Sequence, residues 1–207
     1  MAKRVFVTGI GTDIGKTLAC AILLEALKVN YWKPLQAGNL KNTDTHVIRS
    51  LISNNDSILY PETFLLSKPM SPFGAALEDK VEINSADIII PKNSGNLIIE
   101  GAGGLMVPLN KNYLVIDLIN DLEAEVVLVS KNYLGSINHT LLSVEALQRR
   151  NIPIKGIIYN GYLGDTSEKF IADYTGLKSL LQINKEEKID KTTILKYATK
   201  ITFNPFD

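Results

Sequence analysis

A lysine and a threonine near the amino terminus have the spacing of a phosphate-binding loop. Gly9 and Gly15 enclose five residues, one more than the common pattern, and Lys16 and Thr17 follow directly. The apolar run 5–8 predicts a strand before the loop, and apolar residues at every fourth position predict a helix after it. These flanking elements argue against a chance lysine after a glycine turn. In such a P-loop, backbone N–H groups bind phosphates, the lysine reaches the β- and γ-phosphates, and the threonine hydroxyl binds Mg²⁺.

Two carboxylates are placed to complete a metal site beside this loop. Glu100 ends an apolar run and precedes glycines, so we expect it at the carboxyl end of a strand, where open α/β sheets bind ligands. The alternative is a solvated glutamate beside a turn. Asp44 lies at a predicted helix start, where an aspartate can also act only as a helix cap. The sequence leaves both alternatives open.

Lys33 is predicted to lie inside an apolar strand, directly before Pro34. Burying an unpaired ammonium group is costly, so a lysine there needs an ionic partner or a chemical role. The alternative is a strand-edge lysine whose head group reaches water. Cys20, His46 and His139 are predicted to be structural, and one cysteine with two histidines argues against a zinc site or a Cys–His nucleophile.

Alternating strand and helix patterns predict the fold class. Continuous apolar runs suit strands that are covered on both faces, as in parallel sheets. We therefore expect an α/β fold, a P-loop doubly wound, mostly parallel sheet flanked by helices, forming a single domain over residues 1–207. The predicted strands are 5–8, 31–34, 97–100, 126–130 and 157–160, and the predicted helices are 14–26, 44–52, 136–150 and 168–174. The proline-containing segment 54–96 predicts loops with one or two short helices.

The composition argues against nucleic acid or a membrane as a partner. The 22 basic and 22 acidic residues balance, so no net charge attracts a polyanion. The apolar run before Gly9 is too short for a signal peptide, and no run approaches the roughly 20 apolar residues that span a bilayer. The single cysteine excludes an internal disulfide. These features predict a soluble, cytoplasmic protein.

Six motifs, taken in order, resemble those of the dethiobiotin synthetase family, ATP-dependent carboxylases of biotin biosynthesis. Each motif is weak alone, whereas the ordered set is highly specific and covers residues 3–161. The motifs are Phe6-Val7-Thr8-Gly9 with its spacing to Gly15-Lys16-Thr17, Lys33-Pro34 with Gly38, Asn42-Thr43-Asp44, Glu100-Gly101-Ala102-Gly103-Gly104, Leu134-Gly135-Ser136-Ile137-Asn138-His139, and Asn160.

The resemblance implies a homodimer with the active site at the subunit interface. It also implies the ring-closing carboxylation of 7,8-diaminononanoate with CO₂ and ATP, which releases ADP and phosphate. One amine takes up CO₂ as a carbamate, and γ-phosphoryl transfer activates the carbamate as a carbamic–phosphoric anhydride. The second amine then closes the ring and expels phosphate.

The resemblance further assigns roles by position. Thr17, Asp44 and Glu100 resemble the Mg²⁺ ligands, and Lys16, Lys33 and Thr12 resemble the catalytic residues. The implied substrate-binding residues are Thr12, Lys33, Ala37, Gly135 and Asn138, of which Gly135 and Asn138 would reach the substrate carboxylate in the neighbouring subunit. The implied nucleotide-binding residues are Asp13, Ile14, Gly15, Lys16, Thr17, Leu18, Asp44, Glu100, Gly101, Ala102, Gly103 and Asn160, and Asn160 would read the adenine.

Two departures and two alternatives accompany the resemblance. Ala37 stands where many relatives have a hydroxyl residue, and the segment 181–184 replaces the loop that closes over the base. An amidotransferase-type synthetase acting on cobyrinic acid would carry a glutaminase domain, for which this chain has no length. A ParA/MinD-like ATPase switch would have a second lysine directly after the first loop glycine, where this chain has Ile10.

Overall fold

A computed structural model describes residues 2–162 and 166–207, and its centre is a parallel sheet of seven strands in the order β11-β10-β9-β1-β6-β2-β4. Every neighbouring pair in this sheet is parallel. Its strands are β1 (Arg4–Gly9), β2 (Asn30–Trp32), β4 (Leu59–Tyr60), β6 (Leu97–Gly104), β9 (Glu125–Lys131), β10 (Ile154–Tyr162) and β11 (Ser179–Asn184). Strands β3 (Leu35–Ala37) and β5 (Phe64–Leu66) form a small parallel pair, and β7 (Pro108–Asn110) and β8 (Tyr113–Leu114) form an antiparallel hairpin.

Helices cover both faces of the sheet. One face packs against α1 (Lys16–Leu27), α2 (Asp44–Leu51) and α7 (Lys191–Ala198). The other packs against α3 (Pro72–Asp79), α4 (Val115–Asp121), α5 (Ser136–Arg149) and α6 (Thr166–Thr175). A short 3-10 turn spans Ser85–Asp87. The predicted doubly wound α/β fold is therefore confirmed.

Strand β1 shows why the central runs are continuously apolar. Val5 and Val7 point into the core beneath α1, whereas Phe6 points into the core on the opposite face. All three side chains are fully buried, because alternate residues of a strand face opposite sides of a sheet that is covered on both. Strand β1 lies at the centre of the sheet, and the P-loop begins where this strand ends.

Most predicted elements are found, with shifted ends. The five predicted strands overlap β1, β2, β6, β9 and β10, and the four predicted helices overlap α1, α2, α5 and α6. The first helix begins at Lys16 rather than at residue 14. Segment 54–96 contains one α-helix and one 3-10 turn, as predicted, and also the strands β4 and β5, whose two and three residues are too short to show a period.

Three local predictions were wrong. Lys33 follows β2 instead of lying within it, because Pro34 cannot donate to a sheet and the chain turns into β3. Glu100 lies in the middle of β6, which continues through the glycines to Gly104. The segment 181–184, expected to be a loop, belongs to β11, where Leu181 and Ile183 alternate with exposed residues.

Candidate active site

The P-loop joins the end of β1 to the start of α1. Gly15 is the N-cap residue of α1 with a φ of 100°, and no side chain caps this helix. The first N–H groups of α1 have no intrahelical partner, so they can bind an anion at the positive end of the helix dipole. The Nζ atom of Lys16 donates to the carbonyl oxygen of Gly11 at 3.0 Å, which holds the side chain across its own loop. Burial lowers the pKa of Lys16, and the nearby charge of Lys33 lowers it further.

Glu100 is the centre of a buried polar cluster behind the loop. Its side chain is 1% exposed and accepts hydrogen bonds on both oxygens. Oε1 accepts from the Thr17 hydroxyl at 2.9 Å and from Nζ of Lys33 at 3.2 Å. Oε2 accepts from the Tyr31 hydroxyl at 2.8 Å. The register of β1 and β6, which pairs Val7 with Glu100, places this carboxylate below the first turn of α1.

Lys33 joins the two predicted metal-binding carboxylates. Its Nζ atom lies 2.9 Å from Oδ2 of Asp44 and 3.2 Å from Oε1 of Glu100. Burial alone would lower the pKa of Lys33, but the two carboxylates outweigh it and raise the pKa above its ordinary value. Lys33 therefore carries its charge throughout the physiological range. The buried, paired lysine matches the prediction, and the strand-edge alternative is wrong.

Asp44 begins α2 but does not cap it. It is the first residue of α2, while the N-cap is Thr43, whose side chain accepts from the His46 backbone N–H. The carboxylate of Asp44 is thus free of capping and pairs with Lys33. A negative charge in the first turn of a helix is also favourable.

The oxygen atoms around Lys33 fit a magnesium ion. Thr17 supplies a hydroxyl and Asp44 and Glu100 supply carboxylates, the ligand types that Mg²⁺ prefers. Thr17 and Glu100 already touch, and both carboxylates gather around a single cation. These three residues could therefore hold the metal together with phosphate oxygens.

Asn160 and Lys131 hold the P-loop from the neighbouring strands. The Asn160 side chain donates to the Ile14 carbonyl at 2.8 Å, and Nζ of Lys131 donates to the Asp13 carbonyl at 3.1 Å. A Cβ atom on Gly15 would lie 2.3 Å from Nδ2 of Asn160. The end of β10 thus packs tightly against the loop, which places Asn160 beside the predicted nucleotide site.

A groove of about 720 Å³ opens beside the loop. Its lining includes Thr12, the backbone after Gly103, and the second and third turns of α5. Thr12 is exposed, and its hydroxyl lies 3.6 Å from the position of a Cβ atom on Gly103. Gly135 and Asn138 are exposed at the start of α5, and Gly135 has a φ of 100°. Ala37 is half-buried at the end of β3.

Comparison with known proteins decides the family. A family model described as an AAA domain matches residues 3–193. An ATP-dependent dethiobiotin synthetase of Cytophaga hutchinsonii is 50% identical over 206 residues, which cover 99% of this chain and 100% of that protein. One of Christiangramia forsetii is 47% identical and covers 97% of this chain and 96% of that protein. The chain belongs to the dethiobiotin synthetase family. The predicted family is confirmed, and so is the predicted enzyme class, a ligase.

Solved structures support the fold of this dethiobiotin synthetase family member. The cell division ATPase MinD of Pyrococcus furiosus superposes with a TM-score of 0.62 at 14% identity, covering 97% of this chain and 98% of that one. A ParA family ATPase from Chlorobium tepidum gives a TM-score of 0.58 at 16% identity, covering 96% and 91%. At such low identity the likeness shows a shared fold and nothing about activity.

Two polar side chains at the site of this dethiobiotin synthetase family member were not predicted from the sequence. The pattern predicts Tyr31 only as a residue of an apolar strand, yet its hydroxyl binds Glu100. Burial and the Glu100 charge raise the pKa of Tyr31 well above its ordinary value, so the hydroxyl stays protonated. Gln36 accepts from the Asp44 backbone N–H at 3.2 Å and donates to the Gly38 carbonyl at 3.0 Å. A polar group within an apolar run needs a partner, and that signal could have identified both.

Proposed function

We propose that this protein catalyses the ring-closing carboxylation of 7,8-diaminononanoate with CO₂ and ATP, which forms dethiobiotin, ADP and phosphate. The observation that carries the proposal is the cluster of Thr17, Lys33, Asp44 and Glu100 against the P-loop, in a chain that is 50% identical to a named dethiobiotin synthetase over its full length. The cluster joins a cation and carboxylates where the γ-phosphate of a nucleotide would lie.

The two lysines would stabilise the charge that moves during phosphoryl transfer. A carbamate forms when one amine nitrogen attacks CO₂ and loses a proton. Its oxygen then attacks the γ-phosphorus atom and ADP leaves, which places negative charge on transferring oxygens beside Lys16 and Lys33. Preorganised cations in a buried site stabilise such charge strongly. The second amine then attacks the carbamoyl carbon and loses a proton, and phosphate leaves with the electrons of the C–O bond that breaks.

Thr17, Asp44 and Glu100 would hold Mg²⁺ at this site. When bound, the ion would neutralise phosphate charge and polarise the phosphoryl group. The chain's own residues prepare this position, since Lys33 balances the carboxylates and the Thr17 hydroxyl fixes one oxygen of Glu100.

We also propose a homodimer whose substrate site is shared between subunits. Two large apolar side chains, Met106 and Leu142, line the groove beside Thr12, and Leu134 lies just before the start of α5. Met106 is 58% exposed, Leu142 is 55% exposed and Leu134 is fully exposed. A second subunit that covered them would bury apolar area and bring the start of its α5 towards Thr12. The helix start offers N–H groups for the substrate carboxylate.

A cytoplasmic location agrees with such an enzyme. Within the described ranges no helix is both long and apolar enough to cross a membrane.

The proposed activity is tested by measuring ATP hydrolysis with and without the diamine and bicarbonate. We expect hydrolysis to require both, and mass spectrometry to detect dethiobiotin in amounts equal to the ADP released. Lys16→Ala should lower kcat by about 10²–10³-fold, because it removes a preorganised charge from the phosphoryl group. Circular dichroism of this variant should match the wild type.

The same assay distinguishes the ATPase-switch alternative. A rate of ATP hydrolysis that does not depend on the diamine, but rises with anionic vesicles or a protein partner, would contradict the proposed synthetase. A Lys16→Ala variant with nearly normal turnover would remove the assigned role of the P-loop lysine.

A further inference from the structure

Tyr31 is a fully buried tyrosine on β2, and its hydroxyl binds a carboxylate of the candidate active site. The residue is 0% exposed and lies in the core between the sheet and α1. Its hydroxyl donates to Oε2 of Glu100 at 2.8 Å. The register of β2 against β6 pairs Tyr31 with Ile98, two residues before Glu100, so both side chains face α1. The sheet therefore fixes the tyrosine ring and the carboxylate relative to each other.

The two oxygens of Glu100 have different kinds of partners. Oε1 contacts Thr17 and Lys33, the groups that belong to the P-loop and to the predicted metal site. Oε2 contacts Tyr31, which lies away from the loop on the neighbouring strand. A carboxylate held at one oxygen by a rigid donor cannot rotate freely about its last bond. The tyrosine therefore fixes the plane of the carboxylate, with its other oxygen turned towards Thr17.

A neutral donor does this without competing with a metal. Lys33 also holds the carboxylate, but its positive charge opposes a second cation nearby. The Tyr31 hydroxyl leaves the negative charge of Glu100 in place. Outer hydrogen bonds of this kind fix the orientation of metal-binding carboxylates. The Cys20 thiol, another buried neighbour on α1, is a much weaker donor.

We propose that Tyr31 is a positioning residue that fixes the orientation of the Glu100 carboxylate so that one oxygen is presented to the metal of the Mg²⁺–nucleotide complex. This inference rests on the proposed function, since it concerns the same metal site. Tyr31 touches neither the P-loop lysine nor the reacting atoms, and acts only through the carboxylate. Loss of the Tyr31 hydroxyl should weaken metal binding strongly, and it should slow phosphoryl transfer only slightly when the metal is saturating.

The test is Tyr31→Phe, read by Mn²⁺ binding in the presence of a non-hydrolysable ATP analogue. Electron paramagnetic resonance counts free Mn²⁺, so the readout does not depend on turnover. We expect the Kd for Mn²⁺ to rise about 10-fold, the lower end of effects seen for outer-shell partners of metal ligands. The Mg²⁺ concentration for half-maximal activity should rise similarly, and kcat at saturating Mg²⁺ should change less than twofold.

A matched control and a double variant separate positioning from packing. The control is Tyr113→Phe, because the Tyr113 hydroxyl also donates to a carboxylate. It donates to Asp121 at 2.7 Å, outside the site. This variant should leave Mn²⁺ affinity unchanged. In a Glu100→Gln background, Tyr31→Phe should cause no further loss of Mn²⁺ affinity, because its effect passes through the carboxylate.

Unchanged Mn²⁺ affinity in Tyr31→Phe, with only a lower unfolding temperature, would overturn the proposal and leave Tyr31 a core residue. If Tyr31→Phe does not fold, 4-fluorophenylalanine at position 31 fills the tyrosine volume without a donor, and 4-aminophenylalanine restores the donor. Affinity must then fall with the first and recover with the second. A wild-type protein that binds Mn²⁺ and nucleotide but makes no dethiobiotin would contradict the proposed reaction and not this inference.

Discussion

At the scale of single residues, Lys33 shows how a buried charge prepares a site for a metal. Its ammonium group lies between Asp44 and Glu100, at 2.9 and 3.2 Å. Without the lysine, the buried Glu100 carboxylate would lose its cationic hydrogen-bond partner and keep neutral ones, among them the Thr17 and Tyr31 hydroxyls. Removing one member of a buried ion pair is strongly destabilising, because the remaining charge keeps its desolvation cost.

We therefore expect Lys33→Met to lower the free energy of unfolding by about 3–5 kcal/mol in metal-free buffer. Saturating Mg²⁺ and ADP should recover part of this loss, because the metal replaces the missing cation and binds only the folded state. Urea denaturation with and without Mg²⁺ and ADP measures both quantities. Turnover should be lost in either condition.

Lys28→Met is the control, because Lys28 pairs with Asp56 at 3.3 Å on the exposed surface. Its stability should change little, with or without metal, since exposed ion pairs contribute little. An equal loss for Lys33→Met in both buffers would show that bound metal does not take over the charge of Lys33.

At the scale of elements, the P-loop is shaped by contact with β10 as much as by its own glycines. Gly15 has a φ of 100°, and a Cβ atom there would meet the Asn160 amide at 2.3 Å. Gly15→Ala would therefore move either the loop or Asn160, which also donates to the Ile14 carbonyl. We expect kcat/KM for ATP to fall by about 10²-fold, the cost of a displacement near 1 Å in a positioned site.

Gly176→Ala provides a matched comparison at the end of α6. Gly176 has a φ of 68°, but a Cβ atom there would meet nothing within 4 Å. Both variants introduce backbone strain of about 1–2 kcal/mol, so both should lower the unfolding temperature. Only Gly15→Ala should change ATP affinity, measured by calorimetry. Equal ATP affinities would mean that Asn160 does not constrain the loop.

At the scale of the whole molecule, the proposed dimer predicts complementation between two inactive variants. Lys16→Ala damages the phosphate site, and Asn138→Asp places a like charge where the substrate carboxylate would bind. Asn138→Asp should raise KM for the diamine and leave ATP binding nearly unchanged. If each site draws on both subunits, a mixed dimer keeps one intact site.

Equal amounts of the two variants should then recover about a quarter of wild-type activity after free exchange, because half of the dimers are mixed and each has one good site. Activity is measured after refolding together, and subunit exchange is verified with two affinity tags. Exchange without recovery would show that the site is complete within a single chain.

Local sequence patterns predicted much of this molecule because they describe contacts between neighbours in the chain. The strand–loop–helix around Lys16 was predicted from its spacing and its flanking apolar patterns, and the alternation of strand and helix patterns predicted the doubly wound sheet. The buried, paired state of Lys33 was one of two alternatives that the sequence left open, and its contacts with Asp44 and Glu100 decided between them. Short strands such as β4 and β5 were not predicted, because two or three residues are too few to show a hydrophobic period.

The partners of the site residues depended on the tertiary structure. Glu100 meets Thr17 and Tyr31 across separations of 83 and 69 residues, which only the strand order β1-β6-β2 brings together. The extension of β6 through its glycines and the pairing of β11 likewise came from hydrogen bonds to neighbouring strands. The residue types that the site needs are therefore readable along the chain, whereas the partners that each side chain meets are decided by sheet register. Register depends on how the buried faces of distant strands pack together.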